Sequence, residues 1–410
     1  MKSISIVHPH GELQGSCSIT GSKSETNRLL ILQAQYPNLT LQNISNSVDS
    51  EVMQKALANP SGEVDIHHAG TAMRFLTAYL SVLPEFNGLL TGSARMKERP
   101  IGLLVEALQR LGAQISYEEK EGYPPLRIQG GPLLHNQVSL PADISSQYIS
   151  ALLLIGARQP QGLTIELIGE ITSLPYIRMT LSLLKRVGIS TQMEGQTIQV
   201  YPAVSLPDSE QVIESDWSSA SYFYSMAVLG QASELRISSY RSDSLQGDSC
   251  LQEIYAQLGI RSTIEGNELV LQKLSDAKLP EHLALDLVAS PDIAQTIAVS
   301  CFGLGISCEL TGLHTLKIKE TDRLVALQKE LGKLGASLEI TDKSLYLHPR
   351  TDSWKPEVSI ATYNDHRMAM AFAPLGLLHP LRIEDPEVVE KSYPDFWTDL
   401  RSLGFEITSI

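Results

Sequence analysis

The chain has 410 residues, 43% of them hydrophobic and 6% aromatic, with a formal net charge of −14. At roughly 150 residues per domain, that length predicts two or three domains of an ordinary globular protein. An acidic balance of this size argues against DNA or an anionic membrane as a partner held by bulk electrostatics, and no run of about 18 apolar residues predicts a membrane span.

In chain order, the opening MKSISIVHPHGEL carries neither an apolar h-region nor a small-residue cleavage site. The expectation is a cytoplasmic protein without a secretory leader. Gly21-Ser22-Lys23-Ser24 follows and opens a helix. It is not a nucleotide P-loop, because five residues lie between Gly15 and Gly21 and Ser22 stands before Lys23. The same kind of phrase, small or polar residues running into an apolar helix, recurs along the chain. The copies are Ala69-Gly70-Thr71-Ala72-Met73-Arg74, Ser145-Ser146-Gln147, Trp217-Ser218-Ser219-Ala220-Ser221, Ser290-Pro291-Asp292 and Asn364-Asp365-His366-Arg367. From the second copy onward the spacing is about 72–75 residues, the mark of an internal repeat.

A second phrase follows most of these, an amphipathic helix ending in glycine and then a strand. It appears at Leu111-Gly112-Ala113, Val187-Gly188-Ile189, Leu258-Gly259-Ile260, Leu334-Gly335-Ala336 and Leu403-Gly404-Phe405. Short alternating strands such as Leu163-Thr164-Ile165-Glu166-Leu167 and Ser344-Leu345-Tyr346-Leu347 lie between. Each unit reads as strand, helix, strand, helix, then two strands, and six units fill the chain. The first is short, with only about 45 residues between Lys23 and His68, and lacks the closing hairpin. Units this small cannot bury their apolar faces alone. We therefore expect an α/β (α+β) protein of two similar three-unit domains. One spans 18–213; the other is discontinuous, 1–17 with 214–410. The active site is expected in the cleft between them.

In an acidic chain, the placement of cations is informative. Lys23, Arg28, Arg74, Arg99, Lys319, Arg323, Arg367 and Lys391 all lie in or beside glycine, serine or acidic phrases at helix starts. Arginine grips carboxylate and phosphate with two parallel bonds and lysine acts as a point charge. Helix N-termini add backbone donors and a positive dipole end. The pattern suits small polyanionic substrates. The serine pairs Ser145-Ser146 and Ser218-Ser219 also read simply as helix caps. In Lys319-Glu320-Thr321-Asp322-Arg323, Glu320 and Arg323 share a helical face, which is equally a solvated helix start. His366 reads as a capping or core residue or, beside Asp365 and Arg367, as a proton handler. His67 and His68 point to opposite faces of a strand and are not a metal pair. Cys17, Cys250, Cys301 and Cys308 form no C-x-x-C pair and read as reduced, packed thiols.

These residues resemble a known family. The phrases GSKSETNR (21–28), AGTAMR (69–74), RMKERPIG (95–102), SSQY (145–148), SLPYI (173–177), SPDIA (290–294), KETDR (319–323), YNDHRMAM (363–370) and KSYPDF (391–396) are similar to those of the 3-phosphoshikimate 1-carboxyvinyltransferases, the EPSP synthases targeted by glyphosate. The likeness runs in order over essentially the whole chain. It implies two domains of three inverted βαβαββ-type units joined by a double crossover. It also implies transfer of the enolpyruvyl group of phosphoenolpyruvate to the 5-hydroxyl of shikimate 3-phosphate, on the route to chorismate and the aromatic amino acids. By the same resemblance, shikimate 3-phosphate meets Lys23, Ser24, Arg28, Ser145, Ser146, Gln147, Ser173, Tyr176, Asp292 and Lys319. Phosphoenolpyruvate meets Lys23, Gly70, Arg99, Gln147, Arg323, Arg367 and Lys391. Asp292 is the base, Glu320 and Lys23 serve proton transfer at C3 and phosphate departure, and His366 supports them. No metal or cofactor, no nucleic acid and no membrane are implied, and the expected state is a monomer.

Three positions depart from the family pattern. His68 stands where asparagine is usual, Phe75 where proline is common, and Thr315 where asparagine is often found. Two other readings are weighed. An enolpyruvyl transferase acting on UDP-N-acetylglucosamine commonly carries a reactive cysteine, and none of the four cysteines here has activating cations beside it. A non-catalytic anion binder of the same fold would lack the acid–base set, whereas Lys23, Asp292, Glu320 and His366 are all present.

Overall fold

The computed structural model describes residues 2–169, 171, 174–350 and 358–410. Its internal contacts divide the chain into two units. Gly21–Ile213 forms one, called here the inner unit. The segment through Thr20 joins Glu214–Ile410 to form the other, the outer unit.

Among the described residues, five four-stranded sheets share one plan. In the inner unit, Gly62–Asp65 pairs in parallel with Asn87–Thr91, and the hairpin Gln114–Tyr117 and Leu126–Gln129 completes that sheet antiparallel. Gln137–Pro141, Leu163–Ile168 and the hairpin Thr191–Glu194/Thr197–Val200 repeat it. In the outer unit, His282–Asp286, Ser307–Thr311 and the hairpin Leu338–Ile340/Leu345–Leu347 do the same. Parallel neighbours cannot be joined by a tight turn, so a helix intervenes. The five glycines read as helix ends, Gly112, Gly188, Gly259, Gly335 and Gly404, all have φ between 86° and 103°, the left-handed backbone that closes a helix most readily at glycine.

The remaining sheets depart from the order of the chain. The strand Glu12–Ser18 pairs in parallel with Ala232–Ser238 of the outer unit. The strand Ser209–Val212 pairs in parallel with Leu39–Gln42 of the inner unit. Each therefore supplies the opening strand of a repeat whose helix lies far away in the chain, Trp217–Leu229 for the first and Lys23–Gln35 for the second. Ser3–Val7 sits between Leu381–Glu384 and Glu406–Ser409, where a hairpin strand stands in the other sheets. The first repeat has only the two strands Leu39–Gln42 and Ser209–Val212, because helix Val48–Ala58 leads straight to strand Gly62–Asp65 of the next repeat.

Six helices, one per repeat, fill the middle of the units. In the inner unit they are α1 (Lys23–Gln35), α2 (Gly70–Val82) and α3 (Ser146–Gly156). In the outer unit they are α4 (Trp217–Leu229), α5 (Ala294–Leu304) and α6 (His366–Phe372). They are buried on nearly all sides, as a helix enclosed by others must be. The serines of α4 tolerate this because they bond within the core: Ser221 with Thr296 at 3.1 Å, and Ser300 with Ser225 at 2.9 Å. Those cross-links pair residues at similar heights, so α4 and α5 run parallel. In the inner unit, Arg28, Phe75 and Ser150 meet, respectively the sixth, sixth and fifth residues of α1, α2 and α3. Within each unit, then, helix N-termini collect at one end, where the positive ends of their dipoles add.

Candidate active site

The inner unit's helix ends carry cations, one of them beside an acid and others among neutral groups. Lys23 is the first residue of α1, and its Nζ lies 3.5 Å from Asp49 Oδ2. Arg28 is 2% exposed. It donates to Thr180 Oγ1 at 2.8 Å, to the Ser24 carbonyl at 2.8 Å and to Ser150 Oγ at 3.2 Å, and its guanidinium lies over the Phe75 ring. Burial lowers it to about 10, with Tyr176 and Glu25 acting the other way. Phe75, one of the departures from the family pattern, is thus part of the box around Arg28.

At the start of α2, Arg74 donates to the Gly70 carbonyl at 3.0 Å and the Pro100 carbonyl at 3.2 Å. Burial lowers it to about 10 as well, helped by the neighbouring Arg99 charge. The exposed Arg99 guanidinium lies so close to Gly70 that a Cβ there would stand 2.5 Å from its Nη1. Glycine leaves the guanidinium that room, and any larger residue would displace it. Ser145 caps α3, accepting from the Gln147 amide at 3.4 Å, and the Gln147 side chain reaches Thr71 Oγ1 of α2 at 3.2 Å. Ser146 is buried. Tyr176 lies on helix Leu174–Arg186. His68, the second departure, shares a 2.7 Å hydrogen bond with Ser93. Ser173 lies outside the described residues.

The outer unit's helix ends hold an acid–base network. Asp365 is the N-cap of α6, and its side chain accepts from the Arg367 amide at 2.9 Å. Arg323 opens helix Arg323–Lys333 and is 2% exposed. It donates to Asp365 Oδ2 at 2.6 Å, Asp292 Oδ1 at 2.8 Å and Glu320 Oε2 at 2.7 Å. Asp292 lies on the turn Pro291–Ile293 ahead of α5. It also receives Arg367 Nη2 at 3.2 Å, with Lys319 Nζ at 3.4 Å. Lys391 donates to Glu320, and His366 Nδ1 lies 3.7 Å from Asp365 Oδ1.

These contacts decide the charges. Burial alone would raise the Asp292 carboxyl, but Arg367, Lys319 and Arg323 outweigh it and hold it well below the carboxylate range. For Glu320 burial is likewise overcome by Arg323, Lys391 and His366, so it too is held low. Burial works against the Arg367 charge, yet Asp292 and other nearby acids push its pKa well above the usual value. The result is a compact set of ionised acids and bases, suited to moving protons while binding anions.

The predicted residues that are described thus fall into two groups. The inner unit holds Lys23, Ser24, Arg28, Gly70, Arg99, Ser145, Ser146, Gln147 and Tyr176, of which Arg28 meets Ser24, Arg99 lies against Gly70 and Ser145 accepts from Gln147. The outer unit brings together Asp292, Lys319, Glu320, Arg323, His366, Arg367 and Lys391. Sequence reasoning missed Asp49, whose place in an ordinary acidic first turn gave no sign of its contact with Lys23. It also missed Asp248, which accepts a hydrogen bond from Ser218. Among the described residues, Thr315 Oγ1 is buried without a hydrogen-bond partner.

The sequence model of the EPSP synthase (3-phosphoshikimate 1-carboxyvinyltransferase) family matches residues 38–400. The chain is 43% identical over 408 residues to a 3-phosphoshikimate 1-carboxyvinyltransferase of Bacteroides fragilis, covering 97% of each chain. It is 36% identical over 430 residues to the protein of that name from Sodalis glossinidius, again covering 97% of each. Among solved structures it resembles an EPSP synthase from Acinetobacter baumannii, with TM-score 0.79, 22% identity and all of both chains covered. It also resembles the enolpyruvyl transferase NikO from Streptomyces tendae, with TM-score 0.75 at 15% identity, covering 100% of this chain and 99% of that one. The structural likenesses show the fold, and the sequence matches show that the chain belongs to the EPSP synthase family.

Proposed function

We propose that this member of the EPSP synthase family transfers the enolpyruvyl group of phosphoenolpyruvate to the 5-hydroxyl of shikimate 3-phosphate, giving 5-enolpyruvylshikimate 3-phosphate and phosphate. The observation that carries the reading is Asp292, a carboxylate kept ionised among Arg323, Arg367 and Lys319. In this role Asp292 takes the hydroxyl proton as the oxygen bonds to C2 of phosphoenolpyruvate and C3 gains a proton. Phosphate then leaves and a C3 proton is removed, restoring the double bond.

The network suggests how the base is switched on. With no substrate, three cations hold Asp292 and make it a weak base. The carboxylate and phosphate of phosphoenolpyruvate offer Arg323, Arg367 and Lys391 other anions. As those cations turn to substrate, Asp292 and Glu320 bind protons more readily. Glu320, Lys23 and His366 then handle the C3 proton and the departing phosphate, whose charge the arginines and lysines stabilise. Lys23, Ser24, Arg28, Ser145, Ser146, Gln147, Ser173 and Tyr176, with Asp292 and Lys319, hold shikimate 3-phosphate. Gly70 and Arg99, with Lys23 and Gln147, complete the phosphoenolpyruvate set. The same reading makes the protein a cytoplasmic monomer. No described helix is long and apolar enough to cross a membrane.

The test is phosphate release from purified protein given phosphoenolpyruvate with either shikimate 3-phosphate or UDP-N-acetylglucosamine. Release with shikimate 3-phosphate alone is expected, and Asp292→Asn should lower it about 10²–10⁴-fold. Release with the sugar nucleotide alone would overturn the substrate assignment; no release with either would favour a binding protein.

A further inference from the structure

Asp248 has no role in the assignments above, yet it lies inside the outer unit's network. It sits on the turn Gly247–Cys250 and accepts a hydrogen bond from the hydroxyl of Ser218, the second residue of α4. The Ser218 oxygen in turn accepts from Arg367 Nη2 at 3.3 Å, and the same Nη2 reaches Asp292 Oδ2 at 3.2 Å. One guanidinium therefore stands between two carboxylates, touching one directly and the other through a hydroxyl.

The two acids are not equivalent. Asp292 also has Arg323 at 2.8 Å and Lys319 at 3.4 Å, whereas Asp248 has Ser218 and the field of Arg367. The groups facing Asp248 are Asp292 on the turn before α5, Arg367 on α6, Asp216 at the start of α4, and Cys250 on its own turn. Burial raises the Asp248 carboxyl to about 6; the charges of Asp292 and Asp216 add to this, and Ser218 and Arg367 oppose it. A proton entering this corner goes to Asp248 before Asp292.

We infer that Asp248, acting through Ser218, is a positioning residue that shares the Arg367 guanidinium with Asp292, and that protonation of Asp248 sets the acid limb of the activity. The inference rests on the enolpyruvyl-transfer reading. When Asp248 is charged, Arg367 is shared between two carboxylates. When Asp248 is neutral, the attraction of Arg367 falls on Asp292 alone, which becomes a weaker base for the hydroxyl proton. Activity therefore declines as the pH falls through about 6.

Asp248→Asn keeps the shape of the side chain and imitates its neutral form. At about pH 8 the variant should show kcat/KM about 5–10-fold below the unsubstituted protein, most of it as a lower kcat. It should also lack the limb near pH 6. A purely structural role for Asp248 would lower Tm and leave the limb in place; that result overturns the proposal. Carbon-13 titration of the side-chain carboxyls gives a readout independent of turnover. One resonance with a midpoint near 6 should be present in the unsubstituted protein and missing from Asp248→Asn. If no carboxyl titrates between about pH 5 and 7, the proposal fails even in an active enzyme. If Asp248 titrates there but neither acceptor is turned over, the reaction assignment fails and takes the acid limb with it.

Discussion

The two units use one plan and fill it with opposite chemistry. Each gathers helix N-termini at one end and places a buried arginine near them. In the outer unit, Arg323 meets the carboxylates of Asp292, Glu320 and Asp365. In the inner unit, Arg28 meets two hydroxyls, a carbonyl and the face of Phe75. The consequence is visible in their charges. Burial opposes the Arg323 charge, but Asp365 and Asp292 more than restore it and its pKa rises; burial lowers Arg28 to about 10. A buried cation that faces carboxylates belongs to a balanced set in which each charge depends on the others. A cation that faces neutral donors and rings leaves its positive potential for an incoming anion. The same fold thus yields a cluster of paired charges around Arg323 in one unit and a cation among neutral groups at Arg28 in the other.

Substitutions break this comparison in order of size. Arg323→Met should be the most costly, because it leaves three buried or half-buried acids without their shared partner. A loss of about 3–5 kcal/mol is expected from chemical denaturation, and a loss below about 1 kcal/mol would show that the network relaxes around the gap. The matching change in the inner unit, Arg28→Met, should cost at most about 1–2 kcal/mol. Its neutral partners Ser150 and Thr180 already share a 2.8 Å hydrogen bond. Equal costs for the two arginines would erase the distinction.

Gly70→Ala sharpens the view of the inner unit as an anion site. The new methyl group must displace the Arg99 guanidinium, which would otherwise lie 2.5 Å away. The KM for phosphoenolpyruvate should rise about tenfold, equivalent to about 1.4 kcal/mol, with little change in Tm. Unchanged KM would remove Arg99 from the phosphoenolpyruvate set. The smallest effect is expected at Tyr363, whose hydroxyl donates to the fully buried Glu330 at 2.7 Å. That bond helps hold Tyr363 and Asn364 at φ 55° and 56°, just ahead of Asp365. Tyr363→Phe should lower stability by about 1 kcal/mol and weaken turnover more than binding, as a comparison of kcat with KM would reveal.

Much of this was legible in the sequence. Local physics writes it there: glycine ends helices because it adopts positive φ readily, small and polar residues start them, and alternating residues mark strands. Those signals disclosed the repeat, the short first unit and the cations at helix starts. Motif resemblance then supplied roles for Asp292, Glu320 and Arg367. Asp49 and Asp248 escaped notice, and Ser218 read simply as a cap, because an acidic first turn or a serine cap looks the same whatever charged group lies against it.

The tertiary structure decided which distant pieces meet. Nothing local in Glu12–Ser18 or Ser209–Val212 says that the first pairs with Ala232–Ser238 and the second with Leu39–Gln42. A strand's alternating pattern specifies which face is buried, and the partner depends on the whole packing. The charges follow the same rule. The sequence by itself determined that arginines and acids stand at helix starts. Only the fold determined that Arg323 is enclosed by three carboxylates while Arg28 is enclosed by hydroxyls and a ring, because electrostatic energy depends on separations of a few ångströms set by residues far apart in the chain.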